Sequence, residues 1–136
     1  LPSDIAASIG LAQLRKLDAM QATRKRYWEI YQKELACLPW LKRPVDAPAG
    51  DRHSYFTYCI RVPGGKRDAL AKYLYQAGIY TTLRYHPLHL NPIYKSQAKL
   101  PVCERLNDEA LSIPLHPGLK ESDVARVIEA LKTFNA

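Results

Sequence analysis

The sequence predicts an α+β domain, an α/β sandwich in which a small sheet is covered by helices and one long helix leads in. Three observations predict it. From Ala6 to Leu35, apolar residues recur at three- and four-residue spacing. Three runs with strand character, His53 to Val62, Ile79 to Tyr85 and Leu111 to Leu115, are separated by helical segments. The last segment, Asp123 to Phe134, carries the clearest amphipathic stripe of the chain.

Ser3 is a good N-cap for the leading helix, whose periodic positions include Ala6, Gly10, Leu14, Leu17, Met20, Tyr27, Tyr31 and Leu35. Its first third, Ile5 to Ala12, is apolar or small on every side. A helix of that kind is buried all round, so this end is expected to pack on something outside the chain. The other reading is that small residues merely tolerate a crowded core. Pro39, Pro44, Pro48 and Gly50 then punctuate a loop. His53 to Val62 alternates, with Phe56, Tyr58, Ile60 and Val62 on one face, as in a half-buried strand. Pro63-Gly64-Gly65 turns the chain into a short helix, Asp68 to Ala77, with Leu70, Tyr73, Leu74 and Ala77 inward. Gly78 supplies its left-handed cap. Ile79 to Tyr85, rich in β-branched residues, reads as a second strand. Val102, Leu106 and Ala110 mark another helix, Leu111 to Leu115 a third strand, and Val124, Val127, Ile128, Leu131 and Phe134 the closing helix, with Ser122 as its cap. No repeat or low-complexity segment divides residues 1–136, which read as one domain.

At 136 residues, 47% hydrophobic and 24% charged, the chain has the composition of a soluble globular domain. It contains no apolar run long enough for a membrane span and no signal-peptide pattern. Cys37, Cys59 and Cys103 are an odd, widely spaced set without CxxC, which reads as reduced thiols of a cytoplasmic protein. The net charge of +7 raises the question of nucleic acid. However, Arg24, Lys25 and Arg26 share a helix with Glu29 and Glu34, and the chain has no aromatic RNA-binding motif, basic arm or finger spacing. Nucleic acid is therefore not the expected partner. Small anionic ligands or an acidic partner suit the surplus equally well.

The densest chemistry lies in Arg84-Tyr85-His86-Pro87-Leu88-His89-Leu90-Asn91-Pro92-Ile93-Tyr94. Two imidazoles, two tyrosines and a guanidinium can donate hydrogen bonds to an oxygen-rich or anionic ligand, and the prolines restrict the loop that holds them. A proline-rich surface turn with incidental histidines is the plainer alternative. Nothing completes a catalytic apparatus. GxSxG and phosphate-loop patterns are missing, Cys59 reads as an inert strand thiol, and His86 with His89 lacks a nearby carboxylate for a metal. Neither catalytic residues nor a metal site are expected.

Five ordered blocks resemble the C-terminal domain of DegT/StrS-type nucleotide-sugar aminotransferases, fold-type I pyridoxal-phosphate enzymes. They are Ser3 to Leu14 with Leu17-Asp18 and Arg24; His53-Ser54-Tyr55-Phe56-Thr57-Tyr58; Gly78-Ile79; Tyr85-His86-Pro87-Leu88-His89 with Pro92 and Tyr94; and Leu111-Ser112-Ile113-Pro114-Leu115-His116-Pro117. The resemblance spans essentially the whole chain. It implies the fold of the C-terminal domain of such transferases, and a full-length enzyme that moves nitrogen from an amino-acid donor, usually glutamate, to a keto-sugar on a nucleoside diphosphate. The cofactor pyridoxal 5'-phosphate, its lysine and most of its phosphate contacts would lie in an N-terminal domain outside this chain. The family's Asn-x-Arg segment is likewise outside it, so the fragment alone is expected to be inactive. Substrate contacts fall, by resemblance, on His89 and Tyr94, then His86 and Arg84, with Tyr55 a weaker candidate. Their roles would be hydrogen bonds to sugar hydroxyls and charge-assisted bonds to the diphosphate. The initial helix resembles a segment at the domain and subunit junction of homodimers. A non-catalytic binding or regulatory module of the same fold is the alternative.

Overall fold

The computed structural model describes residues 3–83 and 85–135. It is α+β: five helices around a very small sheet. Ser3 caps the first helix as expected, its Oγ accepting the Ala6 N–H at 3.3 Å. The long leading helix, however, is two helices, α1 (Asp4–Leu14) and α2 (Leu17–Glu34). Between them the Lys16 N–H turns back to Gln13 O at 3.0 Å, a three-residue closure that interrupts the four-residue ladder. The two halves also differ in burial. No residue of α1 is buried, and Ile5, Ile9 and Leu14 are 75%, 60% and 65% exposed. α2 buries Tyr27, Trp28 and Tyr31.

The strand expected over His53 to Val62 contracts to β1 (Tyr58–Arg61). Tyr55 adopts φ 47, outside the extended region, and breaks the alternation. Phe56, expected inward, is exposed, whereas Tyr58, Ile60 and Val62 keep their inward face. β1 pairs antiparallel with β2 (Ala110–Ile113) in the register Tyr58↔Ile113, Cys59↔Ser112, Ile60↔Leu111 and Arg61↔Ala110. Single-residue bridges extend both edges, Lys42 on β1 and Thr82 on Ser112 of β2. Among the described residues, Thr82 is all that forms of the strand expected over Ile79 to Tyr85. Its N–H and C=O exchange bonds of 3.0 and 2.9 Å with Ser112, at the far end of a strand only four residues long.

α3 (Arg67–Gln76) follows the Pro63-Gly64-Gly65 turn, whose glycines have φ 81 and 73. It ends in a Schellman closure. Gly78, at φ 71, donates to Tyr75 O, and Ile79 donates to Leu74 O. α4 (Pro101–Glu109) runs directly into β2 with no residue between them. α5 (Glu121–Thr133) buries Val124, Val127, Ile128 and Leu131 on the expected stripe. Ser122 lies inside this helix rather than capping it. The closure comes from Asp123, whose Oδ2 accepts the Lys120 N–H at 2.9 Å.

One core unites α2, α3, α5 and the inner face of the sheet. Two tyrosine hydroxyls brace it, Tyr27 on Leu119 O at 2.8 Å and Tyr31 on Pro114 O at 2.9 Å. Salt bridges tie α2 to α5 from outside, Arg26 to Glu121 and Glu34 to Lys132. Burial raises the Tyr31 phenol well above its ordinary value of 10.0, and the neighbouring Tyr58 adds to the effect. Burial raises Tyr58 likewise, with Arg43 opposing. Both groups stay neutral in the fold at a pH where the unfolded chain ionises them. Their contribution to stability is therefore intact below pH 10 and declines as the pH rises beyond it. Urea midpoints at pH 8 and pH 11 (ordinary tyrosine value 10.0) should show this loss, reduced in Tyr31→Phe.

Candidate functional site

Alternation along β1 turns Cys59 and Arg61 to the outer face of the sheet, beside Ala110 of β2. There they floor an open, mostly apolar groove of about 1100 Å³. One wall is the loop Tyr85 to His89; the other is α4, through Pro101, Val102, Cys103 and Leu106. Arg61 is held by Glu109, with Nη2 and Nε 2.6 and 2.9 Å from Oε2. Its charge at the groove floor is therefore compensated. The three cysteines are unbridged.

Of the five residues expected to contact substrate, the structure describes four and separates them. Tyr85 and His86 stand exposed at the groove, and His86 is the expected residue most openly placed there. His89 also lines the groove, but its side chain is only 7% exposed and turns inward. Its Nε2 lies 2.9 Å from Glu104 Oε1, the same oxygen that accepts the Leu100 N–H at 2.9 Å. A carboxylate accepts only, so Nε2 carries the proton. These two bonds, the imidazole's first, hold the Glu104 carboxyl below its ordinary value of 4.5. Tyr94 ends a 3-10 turn, Pro92–Tyr94, and is 60% exposed outside the groove. Arg84 lies outside the described residues. Tyr55 stands elsewhere, stacked on His53 at 4.6 Å and edge-on to Trp28 at 5.5 Å. Its hydroxyl is 3.5 Å from Asp46 Oδ2, and its N–H donates to His53 Nδ1 at 2.7 Å.

Sequence reasoning missed Arg61 and Glu104. The outward position of Arg61 was implicit in the period-2 pattern around Ile60. Glu104 lies fifteen positions from His89, a spacing with no local signature. A smaller cavity of about 380 Å³ sits near the other edge of the sheet, between Thr57, Thr82, His116 and Arg126. Among the described residues, no three His, Cys, Asp or Glu side chains come together to hold a metal. No described helix is long and apolar enough to cross a membrane.

Residues 3–132 match the DegT/DnrJ/EryC1/StrS aminotransferase family. The chain is 35% identical over 127 residues to dTDP-4-dehydro-2,3,6-trideoxy-D-glucose 4-aminotransferase of Saccharopolyspora spinosa, covering 93% of this chain and 33% of the relative. It is 37% identical over 135 residues to GDP-perosamine synthase of Caulobacter vibrioides, covering 95% and 36%. The crystal structure of the aminotransferase TlmJ from Streptoalloteichus hindustanus superposes with a TM-score of 0.94 at 42% identity, over 97% of this chain and 36% of that one. The chain thus spans about a third of the length of the curated relatives it matches. The family depends on pyridoxal phosphate. Neither the groove nor the smaller cavity is lined by a lysine that could bond its aldehyde. From the family match over residues 3–132 and a superposition that covers 97% of this chain, the chain belongs to the DegT/DnrJ/EryC1/StrS aminotransferase family.

Proposed function

We propose that this chain is the C-terminal, small domain of a pyridoxal-phosphate-dependent aminotransferase acting on a nucleoside-diphosphate keto-sugar. Glutamate is the amino donor in this reading, and the cofactor and its lysine belong to an N-terminal domain. The observation that carries the reading is α1, an apolar helix exposed on all sides in a chain that covers a third of its relatives. A helix with that composition needs a cover, and the remaining two thirds of such a protein, in a homodimer, would supply it. The groove beside Tyr85 and His86 then closes over the sugar. The phenol and imidazole donate hydrogen bonds to its hydroxyls or diphosphate, and the apolar walls exclude water.

The test compares the full-length gene product with the 136-residue chain. The longer protein should bind pyridoxal phosphate, seen in its absorbance, and transfer nitrogen from glutamate to a dTDP- or GDP-linked keto-sugar. The short chain should do neither. In the longer protein, His86→Ala should raise KM for the sugar nucleotide roughly tenfold, as expected for one lost charge-assisted bond. A folded, cofactor-loaded protein that transfers no nitrogen would instead favour a binding or regulatory module.

A further inference from the structure

We propose that Glu104 is a positioning residue for the sugar groove, acting through His89 to fix the segment between them; the inference rests on the functional reading above. Every residue from 90 to 103 is exposed. Among the described residues, their other hydrogen bonds reach no further than four positions along the chain. The 3-10 turns Leu88–Leu90 and Pro92–Tyr94 are closed locally, and Lys95 stands at φ 45. The C-terminal end of α4 is anchored well, by Arg67 on the Asn107 and Ala110 carbonyls and by Val62 N–H on Glu109 O. Its N-terminal end has no such anchor. The bond from His89 Nε2 to Glu104 Oε1 joins the loop wall of the groove to the helix wall.

One oxygen therefore does two things. It closes the first turn of α4 through Leu100 N–H, and it receives the imidazole that ends the Tyr85–His89 wall. Losing it frees the segment from Leu90 to Cys103 and lets the wall that ends at His89, and His86 with it, shift against α4. A charge-assisted hydrogen bond lost to misplacement weakens a complex roughly 10- to 100-fold. His89 acts here from inside the wall, and ligand contact falls to its neighbours.

The experiment uses the full-length protein loaded with cofactor. Calorimetry measures binding of dTDP-glucose, GDP-mannose and UDP-glucose, none of which carries a ketone to react; the nucleotide that wild type binds is used thereafter. Glu104→Ala should weaken that binding roughly 10- to 100-fold while leaving KM for glutamate within about twofold. Glu104→Gln, which keeps an oxygen for both donors, should recover most of the affinity. His89→Ala should match Glu104→Ala, and the double variant should be no weaker than either. Unchanged sugar affinity, or equal losses for sugar and glutamate, overturns the proposal. If Glu104→Ala does not fold, His89→Ala decides by the same criteria. A folded wild type that binds none of the three sugars overturns the functional reading, and the inference with it.

Discussion

Replacing Trp28 with alanine should destabilise the domain by roughly 3–5 kcal/mol, the usual range for removing a fully buried large aromatic. Trp28 is 2% exposed and is the hub of an aromatic cluster. His53 and Tyr58 lie with ring centroids 4.8 Å away, and Tyr55 at 5.5 Å. The loss would include more than area. Tyr55 is held in the left-handed region, a conformation costing about 1–3 kcal/mol that persists only while its surroundings enforce it. With the indole gone, that segment should relax. Thermal unfolding should fall by roughly 10–20 °C for a domain of this size. Near-ultraviolet circular dichroism should lose most of its aromatic signal. A shift below about 1 kcal/mol would mean that the cluster repacks and that Trp28 is not its centre.

Arg67→Met should cost roughly 2–4 kcal/mol, although it changes no apolar contact of the core. Arg67 opens α3 yet is 9% exposed, because its stem crosses the end of α4. Its Nη1 donates to Asn107 O at 2.8 Å and Ala110 O at 3.2 Å. Those carbonyls sit at the C-terminal end of a helix, where the dipole favours a cation and the orphan acceptors need a donor. Methionine preserves the stem and leaves both oxygens unserved. Lysine should restore part of the loss, since an ammonium can serve the two carbonyls that Nη1 serves but lacks the Nε–H that Arg67 gives to Asp68. Urea midpoints at unchanged m-value measure both variants.

Much of this architecture is visible in the residues themselves. The alternation of Tyr58, Ile60 and Val62 and the stripe from Val124 to Leu131 both mark the observed core. Gly78 marks the end of α3 because only that backbone conformation closes the turn. Other features have no local signature. Arg15 and Lys16, where the first helix breaks, are good helix formers with no proline or glycine beside them. Tyr55 is bulky, and nothing in its neighbours signals a positive φ. Ile79 to Tyr85 has strand propensity, but propensity needs a partner, and β2 offers one residue. The groove shows the same division. The resemblance put substrate contact first on His89 and Tyr94; Tyr94 lies outside the groove, and His86, ranked after them, stands exposed at it. The inward turn of His89 depends on Glu104, a partner brought in by tertiary folding.

The seam between Glu109 and Ala110 has a mechanical consequence. Where a helix passes straight into a paired strand, no slack is available to absorb a twist. Whatever pries α4 away from the sheet must tug on the ladder that holds Arg61 opposite Ala110. A guest seated beneath that helix would bear on β2, whose Ser112 is bridged to Thr82 beside the smaller cavity.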